Sequence, residues 1–264
     1  MNRIKEKFQI LKKKGETALV GFITAGDPNL DKSLEIAIAM CDKGLDILEL
    51  GIPFSDPTAD GPVIQRSSAR ALAAGTTLPK VLKMTKAIRK TTDIPIILFS
   101  YYNPIHAYGR GKFHIDAVKA GADGVLIVDL PPEESDELTQ YFKDDFSIIR
   151  LIAPTTPKER MKKIADSATG FLYLVSKTGV TGSEGLNISE IETTSKVLGS
   201  LANIPVCIGF GISTNKDVAS IAKISDGVVI GSAFEKIIEC NINNIGLVSI
   251  ISDQVSEYKK STKI

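Results

Sequence analysis

Short runs of β-branched and apolar residues recur along the chain with helical stretches between them, and eight have the length of strands. They run from Ala18 to Thr24, Asp46 to Leu50, Pro95 to Tyr101, Gly124 to Leu130, Ser147 to Ala153, Phe171 to Ser176, Pro205 to Gly209 and Gly227 to Gly231. Strands that alternate with helices predict parallel pairing, because each parallel connection needs a crossover. The junctions repeat: Lys43-Gly44-Leu45-Asp46, Ala120-Gly121-Ala122-Asp123 and Ser225-Asp226-Gly227 each lead from a helix end into a strand. Ile94-Pro95 and Ile204-Pro205 open the third and seventh strands, where a proline removes no interior ladder bond. Such regularity favours a closed barrel over an open doubly wound sheet. Ile4, Phe8 and Leu11 fall at helical spacing among alternating charges, which predicts an amphipathic helix ahead of the first strand. The expected fold is α/β, a single (β/α)8 TIM barrel with an extra N-terminal helix, and with no linker of shifted composition residues 1–264 are expected to form one domain.

Composition narrows the function. The chain has 264 residues, of which 43% are apolar and 24% charged, enough for a large core. Its formal charge is +1, from 32 Lys and Arg against 31 Asp and Glu, which offers no footprint for a nucleic-acid backbone or an anionic membrane. A small-molecule ligand is the better expectation. Cys41, Cys207 and Cys240 are scattered and odd in number, so neither a disulfide framework nor a metal site is expected. No apolar run reaches membrane-spanning length and residues 1–14 are no signal peptide, so the expected location is the cytoplasm, or an organelle stroma if organelle-encoded.

The candidate chemistry begins at Glu49, a carboxylate inside the apolar run Asp46-Ile47-Leu48-Glu49-Leu50-Gly51. Strand side chains alternate, so Ile47 and Glu49 point one way and Leu48 and Leu50 the other. A charge there must be paired, hydrogen-bonded or at work. Asp60 follows in the loop 52–61; placed before Gly61-Pro62, it is either a helix cap or a second functional acid. Another long loop, 177–189, contains Gly179, Gly182 and Gly185 and is a candidate lid. Gly209-Phe210-Gly211 after the seventh strand and Gly231-Ser232 after the eighth stand where barrels present amides and a helix N-terminus to phosphate. Tyr101 and Tyr102 could line a flat aromatic ligand's pocket or simply pack. His106 and His114 have no partner pattern that suggests catalysis.

Taken together, Glu49-Leu50-Gly51-Ile52-Pro53-Phe54-Ser55-Asp56-Pro57, Ala59-Asp60-Gly61-Pro62, Tyr102-Asn103-Pro104, Asp129-Leu130-Pro131-Pro132-Glu133, Gly179-Val180-Thr181-Gly182, Gly209-Phe210-Gly211 and Gly231-Ser232-Ala233 resemble the tryptophan synthase alpha subunit family. The resemblance implies a lyase that cleaves indole-3-glycerol phosphate to indole and glyceraldehyde 3-phosphate, with no cofactor in this subunit. It makes Glu49 the general acid/base and Asp60 the acceptor of the indole N–H. It assigns substrate contacts to Phe22, Leu98, Tyr101, Tyr173, Thr181, Gly182, Phe210, Gly211, Gly231 and Ser232. It also implies a beta subunit carrying pyridoxal phosphate, in an alpha2-beta2 heterotetramer, with Pro53, Phe54, Asp56 and Pro57 as contacts. Thr58 stands where the family commonly has Leu, and Lys177 where Arg is frequent. A phosphosugar isomerase barrel would share the phosphate glycines without needing Asp60, and a non-catalytic binding barrel would need neither acid.

Overall fold

A computed structural model describes residues 2–142, 146–175, 188–209 and 211–263. Eight parallel strands close into a barrel in chain order: β1 (Ala18–Thr24), β2 (Ile47–Gly51), β3 (Ile96–Ser100), β4 (Gly124–Ile127), β5 (Ser147–Ile152), β6 (Leu172–Val175), β7 (Val206–Gly209) and β8 (Gly227–Ile230). Around them lie α1 (Arg3–Lys14), α2 (Leu30–Asp42), α3 (Pro62–Ala73), α4 (Leu78–Arg89), α5 (Tyr102–Tyr108), α6 (Arg110–Ala120), α7 (Asp136–Thr139), α8 (Lys158–Asp166), α9 (Ile188–Leu201), α10 (Asn215–Ala222), α11 (Ser232–Cys240) and α12 (Leu247–Ser261). β1 pairs with β2 on one side and β8 on the other, which completes the ring.

Register decides which side chains enter the barrel. Phe22 is the Cα partner of Glu49, and Glu49 of Ile97. The same parity sends Val20, Ile47, Ile97, Leu126, Ile149 and Phe171 into one inner apolar cluster. Leu19, Ile23, Leu48, Leu50 and Leu98 belong instead to the outer cluster, between barrel and helices. β3, β5 and β8 end one residue earlier than expected and β4 three residues earlier. Tyr101 leaves β3 to precede α5, and β4 stops at Ile127, beyond which an Asp129 oxygen accepts from the Tyr102 amide at 2.7 Å. That bond joins the loops after β3 and β4 at the point where the ladder ends.

The N-terminal helix joins the inner core. Asn2 caps α1 by accepting from the Ile4 and Lys5 amides at 3.1 and 3.2 Å, and Gly15 ends it in the left-handed conformation at φ 66°. Its apolar stripe, Ile4, Phe8 and Leu11, is buried in the inner cluster, and the Phe8 ring lies 6.0 Å from that of Phe171. α1 therefore plugs the barrel's amino-terminal end and leaves the opposite end for chemistry. Phe8→Ala should lower unfolding stability by about 3 kcal/mol in urea titrations. A loss below about 1 kcal/mol would show that the plug contributes little packing.

Candidate active site

The carboxyl ends of the strands surround a cavity of about 610 Å³. Strand residues Phe22, Phe99, Leu151, Tyr173 and Val229 form apolar walls, while Asp60, Gly211, Gly231 and Ser232 supply polar lining. Glycines make room for the aromatic walls. A Cβ on Gly209 would stand 2.4 Å from the Tyr173 hydroxyl oxygen, and one on Gly51 would stand 2.7 Å from Phe22 Cζ.

Glu49 lies beside this cavity and not on its open surface. It is 1% exposed, and neither carboxylate oxygen meets a hydrogen-bond donor among the described residues. Loss of water drives its pKa up to about 8. Two cavity-lining rings adjoin it. Phe22 is its register partner, and Tyr173 is close enough that the Glu49 charge adds to burial in raising the phenol's pKa. A structural carboxylate would cap amides or hold a cation, and among the described residues Glu49 does neither.

Asp60 is no helix cap either. α3 begins at Pro62 behind Gly61, which makes no side-chain capping bond. Instead the Tyr101 hydroxyl accepts from the Ala59 amide at 2.9 Å and lies near enough to the Asp60 carboxylate to lower its pKa. Gln65 donates to the Asp60 carbonyl at 2.8 Å. Burial lifts the Asp60 pKa to about 6, partly offset by the nearby Tyr101 hydroxyl. Tyr101 thus acts behind the loop and is absent from the cavity wall.

Across the cavity, Gly231 precedes α11 without a side-chain cap, so the first amides of that helix remain available to an anion, with Ser232 as its first residue. Gly211 has φ 75°, a conformation that favours glycine, and lines the same side. These groups form an amide cradle facing Asp60 across apolar walls.

The structure brings together Asp60, Phe22, Tyr173, Gly211, Gly231 and Ser232, with Glu49 directly behind. Leu98 does not join them. It is fully buried in the outer cluster, because the register of Glu49 with Ile97 turns odd-numbered β3 residues inward, and Phe99 takes the wall position. Thr181, Gly182 and Phe210, with the 177–187 part of the candidate lid, lie outside the described residues. Of the expected partner contacts, Asp56 is exposed and Phe54 and Pro57 half-buried, but Pro53 is buried beneath them. Lys236, a cation lining the cavity one turn into α11, was not signalled by any sequence motif. Its position relative to Ser232 on a helix was the available clue.

A family model described as tryptophan synthase alpha chain matches residues 8–263. The tryptophan synthase alpha chain of Desulfatibacillum aliphaticivorans is 59% identical over 264 residues, with 100% of both chains covered. That of Desulfosudis oleivorans is 60% identical over 265 residues, again with 100% of both covered. The crystal structure of tryptophan synthase subunit alpha from Legionella pneumophila superposes with a TM-score of 0.91 at 38% identity, covering 99% of this chain and 98% of that one. With Glu49 and Asp60 set in a barrel mouth beside an amide cradle, the chain belongs to the tryptophan synthase alpha chain family, the lyases that cleave indole-3-glycerol phosphate to indole and glyceraldehyde 3-phosphate in tryptophan biosynthesis.

Proposed function

We propose that Glu49 moves both protons of the cleavage while Asp60 steadies the charge that develops on the indole nitrogen. The observation that carries this reading is the buried Glu49 carboxyl, with no partner among the described residues, beside a cavity lined by Asp60. In its acid form Glu49 protonates the ring carbon that bears the glycerol chain, and positive charge spreads to the ring nitrogen. The Glu49 carboxylate then takes the proton of the neighbouring hydroxyl. As the carbon–carbon bond breaks, its electrons return to the ring, giving indole and an aldehyde. Glu49 ends protonated, as it began.

A pKa of about 8 suits a group that must give and regain a proton near neutrality. Asp60, at about 6, is ionised at that pH and can accept the indole N–H bond as the charge grows. Phe22 and Tyr173 are suited to hold the indole, with Phe99 in the place expected for Leu98. The amides around Gly211, Gly231 and Ser232 are suited to the phosphate, together with Thr181, Gly182 and Phe210 as the resemblance implies. No cofactor is needed in this chain, because Glu49 and the substrate carry every proton.

An alpha chain's partner is a beta subunit. We assign the assembly as an alpha2-beta2 heterotetramer, with pyridoxal phosphate in the beta subunit and this chain acting as one barrel domain in the cytoplasm. The exposed Asp56, with Phe54 and Pro57, borders a surface cleft of about 530 Å³. Phe54 packs its ring 5.4 Å from that of Tyr101, whose hydroxyl holds the Ala59 amide next to Asp60. A partner pressing on this loop therefore has a short mechanical route to Asp60.

Glu49→Gln should abolish indole release, with substrate affinity changed less than about threefold; turnover within about tenfold of wild type would remove Glu49 from the mechanism. The working form carries protonated Glu49 and ionised Asp60, so kcat/KM should rise with pH through about 6 and fall through about 8. A profile flat from about 5 to 9 would contradict that assignment. Stability should show the same proton. The folded chain binds it more tightly than the unfolded chain does, so the contribution is full below the ordinary value of 4.5 and is lost as pH rises to about 8. Glu49→Gln cannot ionise, and should gain about 1–3 kcal/mol on wild type between about pH 5 and 8 in urea titrations. Asp56→Ala should weaken activation by a beta subunit while the isolated chain keeps its own rate. Unchanged activation would take Asp56 out of the interface.

A further inference from the structure

Glu235 lies one turn into α11, behind the amides of the cradle, and has no exposure at all. Its Oε1 accepts from the amide of Thr24, the last residue of β1, at 2.6 Å. Its Oε2 meets no donor among the described residues, and the carboxyl of Asp27, itself fully buried, is near enough that a proton on Glu235 would complete a hydrogen bond between them. Both Asp27 oxygens are already occupied: Arg70 of α3 donates to them through Nε at 2.8 Å and Nη2 at 2.7 Å. Asp27 is therefore the anion of a two-bond ion pair, and the group that completes Glu235 is a proton. Burial, and then the Asp27 charge, push the Glu235 pKa well up, which agrees with that arrangement.

The same seam continues on either side. Arg70 donates to Glu239 of α11 at 2.8 Å, and Glu239 also accepts from Arg66 of α3 at 2.6 and 2.8 Å. The Thr24 and Ser67 hydroxyls are 2.7 Å apart. α3 starts two residues after Asp60, and α11 starts at Ser232. The helix behind the acid and the helix that presents the cradle are thus joined to one strand end through a hydrogen-bond network that is buried at Thr24, Ser67, Asp27 and Glu235 and reaches the surface at Arg66 and Glu239. An apolar residue at position 235 could fill the volume, but it would not fix a direction or satisfy the Thr24 amide.

We propose that Glu235, as a neutral acid held between Thr24 and Asp27, is a positioning residue that fixes the amide end of α11 against α3 and the Asp60 loop. The assignment rests on the function argued above for those groups. Glu235→Gln reproduces the neutral acid, since its carbonyl accepts from Thr24 and its amide donates to Asp27. Glu235→Met keeps the volume and loses both bonds.

The test measures, in the full-length chain, KM and kcat for indole-3-glycerol phosphate, calorimetric affinity for glycerol 3-phosphate, and amide exchange at Thr24. Glu235→Gln should stay within about threefold of wild type in all of them. Glu235→Met should raise KM and the glycerol 3-phosphate Kd by about tenfold, and speed exchange at Thr24 by about tenfold or more, with an unchanged circular dichroism spectrum. If the Met variant does not fold, Glu235→Asp, too short to reach both Thr24 and Asp27, should show the same losses. A folded Met or Asp variant that matches wild type, or a Gln variant impaired as badly as they are, overturns the proposal. Amide exchange reads the network without substrate, so a wild-type chain that fails to cleave would contradict the function while leaving the Glu235 result decisive.

Discussion

The site depends on the two-residue alternation of a closed parallel barrel. Once Phe22, Glu49 and Ile97 are register partners, the side chain of Glu49 has no choice but to enter the apolar interior. It finds no donor among the described residues, and desolvation is enough to bring its proton affinity into the neutral range. An ion-paired or amide-capped carboxylate would have stayed ionised and been useless as an acid. The lack of a partner among the described residues is thus the feature that suits Glu49 to the proposed chemistry, and it costs stability that the apolar layers on both sides of the sheet must offset.

Much of this was legible in the sequence, for identifiable reasons. The eight apolar runs marked the strands because each is bounded by glycine, proline or a helical stretch, and the stripe of Ile4, Phe8 and Leu11 foretold the α1 plug. Glu49 was legible because one charge in an apolar strand breaks the pattern. Leu98 was misplaced for the opposite reason. Ile96-Ile97-Leu98-Phe99 is apolar throughout, as a strand covered on both faces must be, so it contains no alternation from which to read the inward parity. Only pairing with β2 fixes it. Tyr101 was named, but as a wall; its role behind the Asp60 loop depends on a hydroxyl contact 42 residues away in sequence, which no local pattern encodes. Glu235 lay in an ordinary amphipathic helix, and its bond to the Thr24 amide at the end of β1 joins distant parts of the chain, which no local pattern encodes.

Barrel closure explains why these parts meet. Glu49 and Asp60 belong to β2 and the loop after it, whereas the cradle belongs to β7, β8 and α11, near the other end of the chain. In an open sheet with the same sequential order, β2 and β8 would stand toward opposite edges. Here β1 pairs with both, so acid and cradle are separated by one strand, and Phe22 on that strand packs beside both Glu49 and Gly231. The end of β1 is accordingly where α3 and α11 must be held in register, and the Thr24, Asp27, Arg70 and Glu235 network occupies that position. In the function proposed above, a substrate that spans acid and cradle lies across this strand. The spacing between its two ends is therefore set by the ladder bonds of β1 and by the buried proton beside it, and not by the surface loops alone.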